Sequence, residues 1–218
     1  MSTSTPDAGT RRIHESGTRG HAKTNAPRLR FDMPEYAQSL ASVLATHDWS
    51  PVDDVASRIV RTGLEGRRLF LCGNGGSAAS AMHLANDLLY GVAPGGAGVR
   101  AECLCGNASV LTCLANDTGY ANIFSLQLRT QGSPGDGLIV FSGSGNSPNI
   151  VEAVCEARRL GMWTCGVLGY SGGVVLKKVD VAVHFAIDDM EIAEDLQTVV
   201  GHMLKRAVKS RMPKGVTS

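Results

Sequence analysis

Residues 68–77 read RLFLCGNGGS, and residues 138–148 read LIVFSGSGNSP. Each is a short apolar run without polar alternation. Each ends in glycine and serine and then gives way to a helical pattern. A strand buried on both faces reads this way. Three further runs, Glu102–Cys105, Thr164–Leu168 and Val179–Phe185, have the same character and are separated by helical stretches. Strand–helix alternation of this kind predicts an α/β fold, a parallel sheet with helices on both sides.

Gly73-Asn74-Gly75-Gly76-Ser77 precedes a helix expected from Ala78 to about Tyr90. Ser142-Gly143-Ser144-Gly145-Asn146-Ser147 precedes a helix with Ser147 as N-cap and Pro148 at its first position. Both loops fall at the carboxyl ends of strands, where open α/β sheets bind ligands. Small residues admit a ligand close to the backbone, and free N–H groups, the positive helix end and serine hydroxyls suit an anion. The GxxxxGK[ST] pattern is absent, as is GxGxxG with an acidic residue about 20 positions on. A small phosphorylated molecule fits better than a nucleotide.

Working outward, Pro34–Thr46 and the stretch opened by Ser50-Pro51 have amphipathic helical spacing. A long helix is expected over Met190–Lys209, with a basic last turn. Residues 1–33 are rich in Ser, Thr, Gly and Arg and read as a disordered basic tail, with a short second tail at 213–218 and one folded domain over 34–212. The 218 residues suit one domain with extensions. The net charge of +1 divides into +3 over residues 1–33, +5 over 205–218 and −7 between them, which argues against a nucleic-acid surface. No apolar run reaches the roughly 20 residues that span a bilayer, and the polar start has no secretory h-region. The six cysteines form no CxxC pair, and they are expected as reduced core residues of a cytoplasmic protein.

Three segments in order, GNGGSAASAMHLANDL (73–88), CLANDTGYANIF (113–124) and FSGSGNSPNIVEAVCEARRLGM (141–162), resemble the sugar isomerase (SIS) fold and, within it, the phosphoheptose isomerase family. The likeness covers about residues 34–208. It implies a five-stranded parallel sheet flanked by helices, a homo-oligomer, usually a tetramer with sites at subunit interfaces, and conversion of sedoheptulose 7-phosphate to a glycero-manno-heptose 7-phosphate.

The resemblance also implies roles for individual residues. Ser142, Gly143, Ser144 and Ser147 match the phosphate loop, with Gly143 where the family usually has threonine. Asn74, Gly75 and Gly76 match the other substrate loop, and Asn116-Asp117 match an Asn-Asp pair. His83 and Asp87, one turn apart on a helix, stand where the family has a metal-binding His and Glu, the Glu also an acid/base. His202 aligns with the catalytic, metal-binding histidine, and Glu194 with a glutamine ligand. A second register places Gln197 on that glutamine and Lys205 on the histidine; the register that keeps His202 is preferred. On this reading Asp87 and His202 are the acid/base pair, and His83, Asp87, Glu194 and His202 hold one zinc ion, with no Lys or Arg near the two carboxylates in sequence. A rise of 1.5 Å per residue separates Glu194 from His202 by about 12 Å along the helix. Two rival readings remain: a non-catalytic relative that binds a sugar phosphate or a partner, as one family member binds a bacterial replication initiator, and an isomerase of another phosphosugar.

Overall fold

The computed structural model describes residues 32–93 and 98–213. The expected tails lie outside the described residues except for 32, 33 and 213, and Met33 already belongs to the first helix. The elements in chain order are α1 (Met33–Thr46), α2 (Ser50–Leu64), β1 (Arg68–Cys72) and α3 (Gly76–Asn86), which continues as a π-helical turn over Asp87–Gly91. There follow β2 (Arg100–Cys103), α4 (Ala108–Thr118), a 3-10 turn (Tyr120–Asn122), α5 (Ser125–Gln131), β3 (Gly137–Ser142) and α6 (Pro148–Arg159). The chain ends with β4 (Trp163–Leu168), α7 (Gly173–Leu176), β5 (Val181–His184) and α8 (Met190–Arg211).

The five strands form one parallel sheet in the order β2-β1-β3-β4-β5. Every residue of β3 is buried, as a central strand covered on both faces requires. Alternate strand residues feed two cores. Leu69, Leu71, Ile139, Phe141, Cys165, Val167 and Val183 pack under α2, α3 and α8. Phe70, Cys72, Leu138 and Val140 pack under α5, α6 and α7. Helix α2 buries Val52, Val55, Ala56 and Ile59, one face at the 3.6-residue period. Helix α1 buries no residue completely; Tyr36, Leu40, Val43 and Leu44 rest on the first core, and Tyr36 Oη donates to Asp195 Oδ2 at 2.7 Å.

Some local expectations are corrected. The helix opened by Ser50-Pro51 has Trp49 as its N-cap, and Ser50 bonds back to Asp48 from its amide and hydroxyl. Strand β2 runs two residues earlier than expected, and the turn after it holds Cys105. The cysteines are all free, but only Cys72 and Cys165 are core residues; Cys103, Cys105 and Cys155 are half-buried and Cys113 is exposed on α4. No helix among the described residues is long and apolar enough to cross a membrane.

The strand order reverses between β1 and β3: the chain moves from β1 outward to β2, then returns to the other side of β1 with β3. Neighbouring strands leading in opposite directions open a crevice at their carboxyl ends. Both glycine-serine loops lie at that crevice.

Candidate active site

The first loop ends at Gly75, the N-cap of α3, at φ 55°, a left-handed conformation natural to glycine. The second loop makes a tight turn in which Ser142 Oγ accepts from Gly145 N at 3.0 Å and Ser144 Oγ accepts from Asn146 N at 3.3 Å. Gly145 has φ 63°, and a Cβ there would run into the Gly172 carbonyl. The two loops are joined by Asn74 and Asn149, whose amides each donate to the other, at 3.0 and 2.8 Å. Tyr120 Oη adds a third bond, donating to Asn74 Oδ1 at 3.0 Å.

Between the loops is a cleft of about 190 Å³ lined by Asn74, Ser77, Ser142, Gly143, Ser144, Ser147, Met190 and Glu194, with Phe141 at its base. The serines that sequence reasoning assigned to a phosphate are thus brought together with Asn74. A Cβ on Gly143 would lie 2.6 Å from Met190 Sδ, so Met190 occupies the space that a larger residue at 143 would need. Gly75 and Gly76 form the start of α3 beside the cleft. Asn116 and Asp117 are not brought to it: they are exposed in the last turn of α4, with Asn116 Nδ2 donating to Asp117 Oδ1 at 2.7 Å. Nearby, the Cys105 thiol donates to the Gly73 carbonyl at 3.3 Å. Hydrogen bonding with Cys103 and then burial push that thiol above its ordinary range, which makes it a poor nucleophile.

Helices α3 and α8 run side by side in the same direction, and their facing residues form successive rungs. The Glu194 carboxylate lies against Gly76, where a Cβ would collide with it. Ser80 Oγ is 3.4 Å from Thr198 Oγ1. His83 Nε2 is 3.2 Å from His202 Nε2. Asp87 Oδ1 accepts from Lys205 Nζ at 2.6 Å. Steps of three or four residues on each helix keep the rungs in phase. Glu194 therefore stands at the cleft, beside the positive end of α3, two turns away from the histidines.

His83, Asp87 and His202 offer one ligand atom each within 4.8 Å of one another, and Glu194 is not part of this group. Asp87 is buried; its Oδ2 lies 3.4 Å from His83 Nε2 and has no hydrogen-bond partner among the described residues. Two atoms each 2.0–2.1 Å from a tetrahedral ion are about 3.3 Å apart. The two spacings from His83 Nε2, 3.2 Å to His202 and 3.4 Å to Asp87, match that value, and all three ligand atoms lie within 4.8 Å of one another. Two imidazoles and a buried carboxylate oxygen without a hydrogen-bond partner are a donor set that suits a divalent transition ion.

Sequence reasoning missed Asn149, Tyr120, Met190 and Lys205. Lys205 is far from Asp87 in sequence, and the packing of α3 against α8 brings it there; it lies three residues after His202 and so shares its helix face. Gln197, the residue favoured by the rival register, is buried on α8, and neither side-chain polar atom has a hydrogen-bond partner among the described residues.

Comparison with known proteins places these features. The SIS domain family model matches residues 34–169. The phosphoheptose isomerase of Chlorobaculum parvum is 36% identical over 182 residues, which cover 81% of this chain and 86% of the relative. The solved structure of a phosphoheptose isomerase from Francisella tularensis matches with a TM-score of 0.78 at 26% identity, covering 82% of this chain and 96% of that one. That of the phosphoheptose isomerase from Neisseria gonorrhoeae matches with a TM-score of 0.72 at 28% identity, covering 81% and 92%.

Proposed function

This chain belongs to the SIS domain family and, within it, to the phosphoheptose isomerases, and we propose that it converts sedoheptulose 7-phosphate to D-glycero-D-manno-heptose 7-phosphate. The observation that carries this reading is the placement of two groups on one seam. The serine-lined cleft and the His83–Asp87–His202 group stand at two ends of one α3–α8 seam. Glu194 to His202 is a rise of about 12 Å. With C–C bonds of about 1.5 Å, the chain from C2 to a phosphate on C7 spans about 9 Å when extended. A phosphate at Ser142, Ser144 and Ser147 would therefore point C1 and C2 along the seam toward the histidine end.

The residues divide the work accordingly. Serine hydroxyls and the amino end of α6 bind the phosphate and fix the remote end of the sugar. Asn74 and Glu194 face the hydroxyls between, Glu194 as an acceptor. Isomerisation moves a proton between C1 and C2 through an enediol, which needs a base and an acid at the two oxygens. Asp87 and His202 take those parts, with His83 beside them. His83, Asp87 and His202 would hold zinc, which when bound polarises the carbonyl and hydroxyl oxygens. Glu194 is assigned to the sugar rather than the ion, because it lies at the other end of the seam. Asn116 and Asp117 keep a substrate role only if a second subunit brings a site to α4.

A cytoplasmic homotetramer completes the reading. The exposed Leu89 and Tyr90 support a subunit contact near the π-helical turn, and six free cysteines suit a reducing compartment. The direct test is incubation of zinc-reconstituted protein with sedoheptulose 7-phosphate, followed by NMR. A new aldose anomeric signal is expected. Absence of conversion would overturn the substrate assignment, and a monomer by light scattering would remove the shared site.

A further inference from the structure

Lys205 and Asp87 form the last rung of the α3–α8 seam. The ammonium is 2.6 Å from Asp87 Oδ1, and the carboxylate side chain is only 6% exposed. Lys205 reaches it across Gly91, where a Cβ would lie 3.0 Å from Lys205 Cε; the glycine leaves the path open. Asp87 opens the π-helical turn, a backbone irregularity often found at functional sites. One carboxylate oxygen is therefore tied to Lys205, while the other faces His83 at 3.4 Å and is otherwise without a hydrogen-bond partner among the described residues.

A carboxylate is planar, so fixing one oxygen fixes the other. A half turn about the Cβ–Cγ bond only exchanges two equivalent oxygens, but without a partner on Oδ1 the group could settle part-way round, with neither oxygen aimed at the histidines. Moving a reacting group by about 1 Å can cost a hundredfold in rate. An unpaired buried carboxylate would also seek another partner, and the adjacent imidazoles are the nearest donors.

We propose that Lys205 is a positioning residue. It holds Oδ1 so that Oδ2 of Asp87 stays aimed at His83 and His202, where the reaction takes place. This rests on the assignment of Asp87 to acid/base work. Lys205 touches no reacting atom itself. It also distinguishes the two ends of the seam: Glu194 has no such cation among the described residues.

The test compares Lys205→Met, Lys205→Arg and Asp87→Asn in the zinc-reconstituted full chain with sedoheptulose 7-phosphate. Lys205→Met is expected to lower kcat by about 30-fold while KM stays within about twofold, because the phosphate cleft is untouched. Lys205→Arg should recover part of the loss. Ethylammonium added to Lys205→Ala should restore activity, since the side chain is 35% exposed and its place can be reached from solvent. Rescue of kcat with no change in the urea midpoint separates positioning from a structural ion pair, whose rescue would raise both. A crystal structure of Lys205→Met supplies a readout without turnover: the Asp87 carboxylate should rotate or take two conformers. A carboxylate in its present orientation in that variant overturns the proposal whatever the activity. Unchanged kcat in Lys205→Met with an inactive Asp87→Asn overturns it as well, and leaves the role of Asp87 standing. Full activity in Asp87→Asn instead removes the acid/base assignment on which it rests.

Discussion

Asn74 and Asn149 bind one another through both amides, so the loop after β1 and the helix after β3 are locked together across the strand reversal. Asn149 is 1% exposed and also accepts from the Ile150 amide at 3.1 Å. Removing it would orphan Asn74 Nδ2 in a part-buried place, while Tyr120 still donates to Asn74 Oδ1. Leaving a buried polar group unpaired costs about 1–3 kcal/mol. Asn149→Ala should therefore lower the urea midpoint and raise KM several-fold, with less effect on kcat, because the loops drift apart while the histidine end is intact. Urea titration and steady-state kinetics check both effects. Unchanged KM would show that the cleft does not depend on this tie.

What the sequence disclosed follows from what a single element can carry. The central strands were legible because burial on both faces leaves continuous apolar runs. The edge strand β2, with Arg100 and Glu102 among its four residues, lacks that signature, and its position shifted by two. The cysteines misled because apolar neighbours do not fix which way a side chain points: Cys113 lies on α4, which buries no residue. His83 with Asp87, and His202 with Glu194, were readable as spacings within one helix. The meeting of His83 with His202, and of Asp87 with Lys205, belongs to the packing of two helices more than 100 residues apart. No period within either helix contains it. The same rise that separates Glu194 from His202 sets Glu194 apart from the other three residues of the ligand set that the resemblance implied.

A second prediction concerns acid stability. Glu156 is buried on α6 and accepts from Arg159 and Arg129, at 2.7 to 3.1 Å, which joins α6 to α5. Its hydrogen bonds to Arg159 and then Arg129 hold its pKa down to about 2. A pKa lower in the folded state contributes stability above the ordinary carboxylate pKa, and that stability is lost as pH falls through the folded value. Both guanidiniums are more than half exposed, so solvent screens the pair, and about 1–2 kcal/mol is a reasonable scale. Wild type should be more stable than Glu156→Gln at neutral pH, and the gap should close between about pH 4.5 and pH 2. Urea midpoints across that range measure it. A gap that persists to pH 2 would mean that lost packing, rather than charge, makes the difference.

Metal content tests the histidine group directly. Wild type purified without chelator and reconstituted with zinc should hold about one ion per chain. His83→Ala and His202→Ala should each lose it, since either change removes an imidazole from a set of three. Glu194→Gln should keep the ion, because that carboxylate stands at the cleft. Elemental analysis of the four proteins separates the cases. Loss of zinc in Glu194→Gln would return Glu194 to the ligand set, and less than about one-tenth of an ion in wild type would remove the metal altogether.

Glu194 and Gly76 provide the sharpest check on the sugar end. The carboxylate rests where a Cβ of residue 76 would go. Alanine favours helices over glycine by up to about 1 kcal/mol, and the obstructing group is the far end of a flexible side chain. Gly76→Ala should therefore leave stability nearly unchanged while pushing Glu194 aside. If Glu194 accepts from the sugar, Gly76→Ala and Glu194→Ala should each lower kcat/KM by about tenfold, and the double variant should be no worse than either, because residues in contact are not additive. Glu194→Gln carries a further sign. The carboxylate shares its cleft with the proposed phosphate site, and like charges at short range repel. Removing its charge should tighten inhibition by inorganic phosphate by several-fold even as turnover falls. Additive losses in the double variant, together with unchanged phosphate inhibition in Glu194→Gln, would place Glu194 outside the working site.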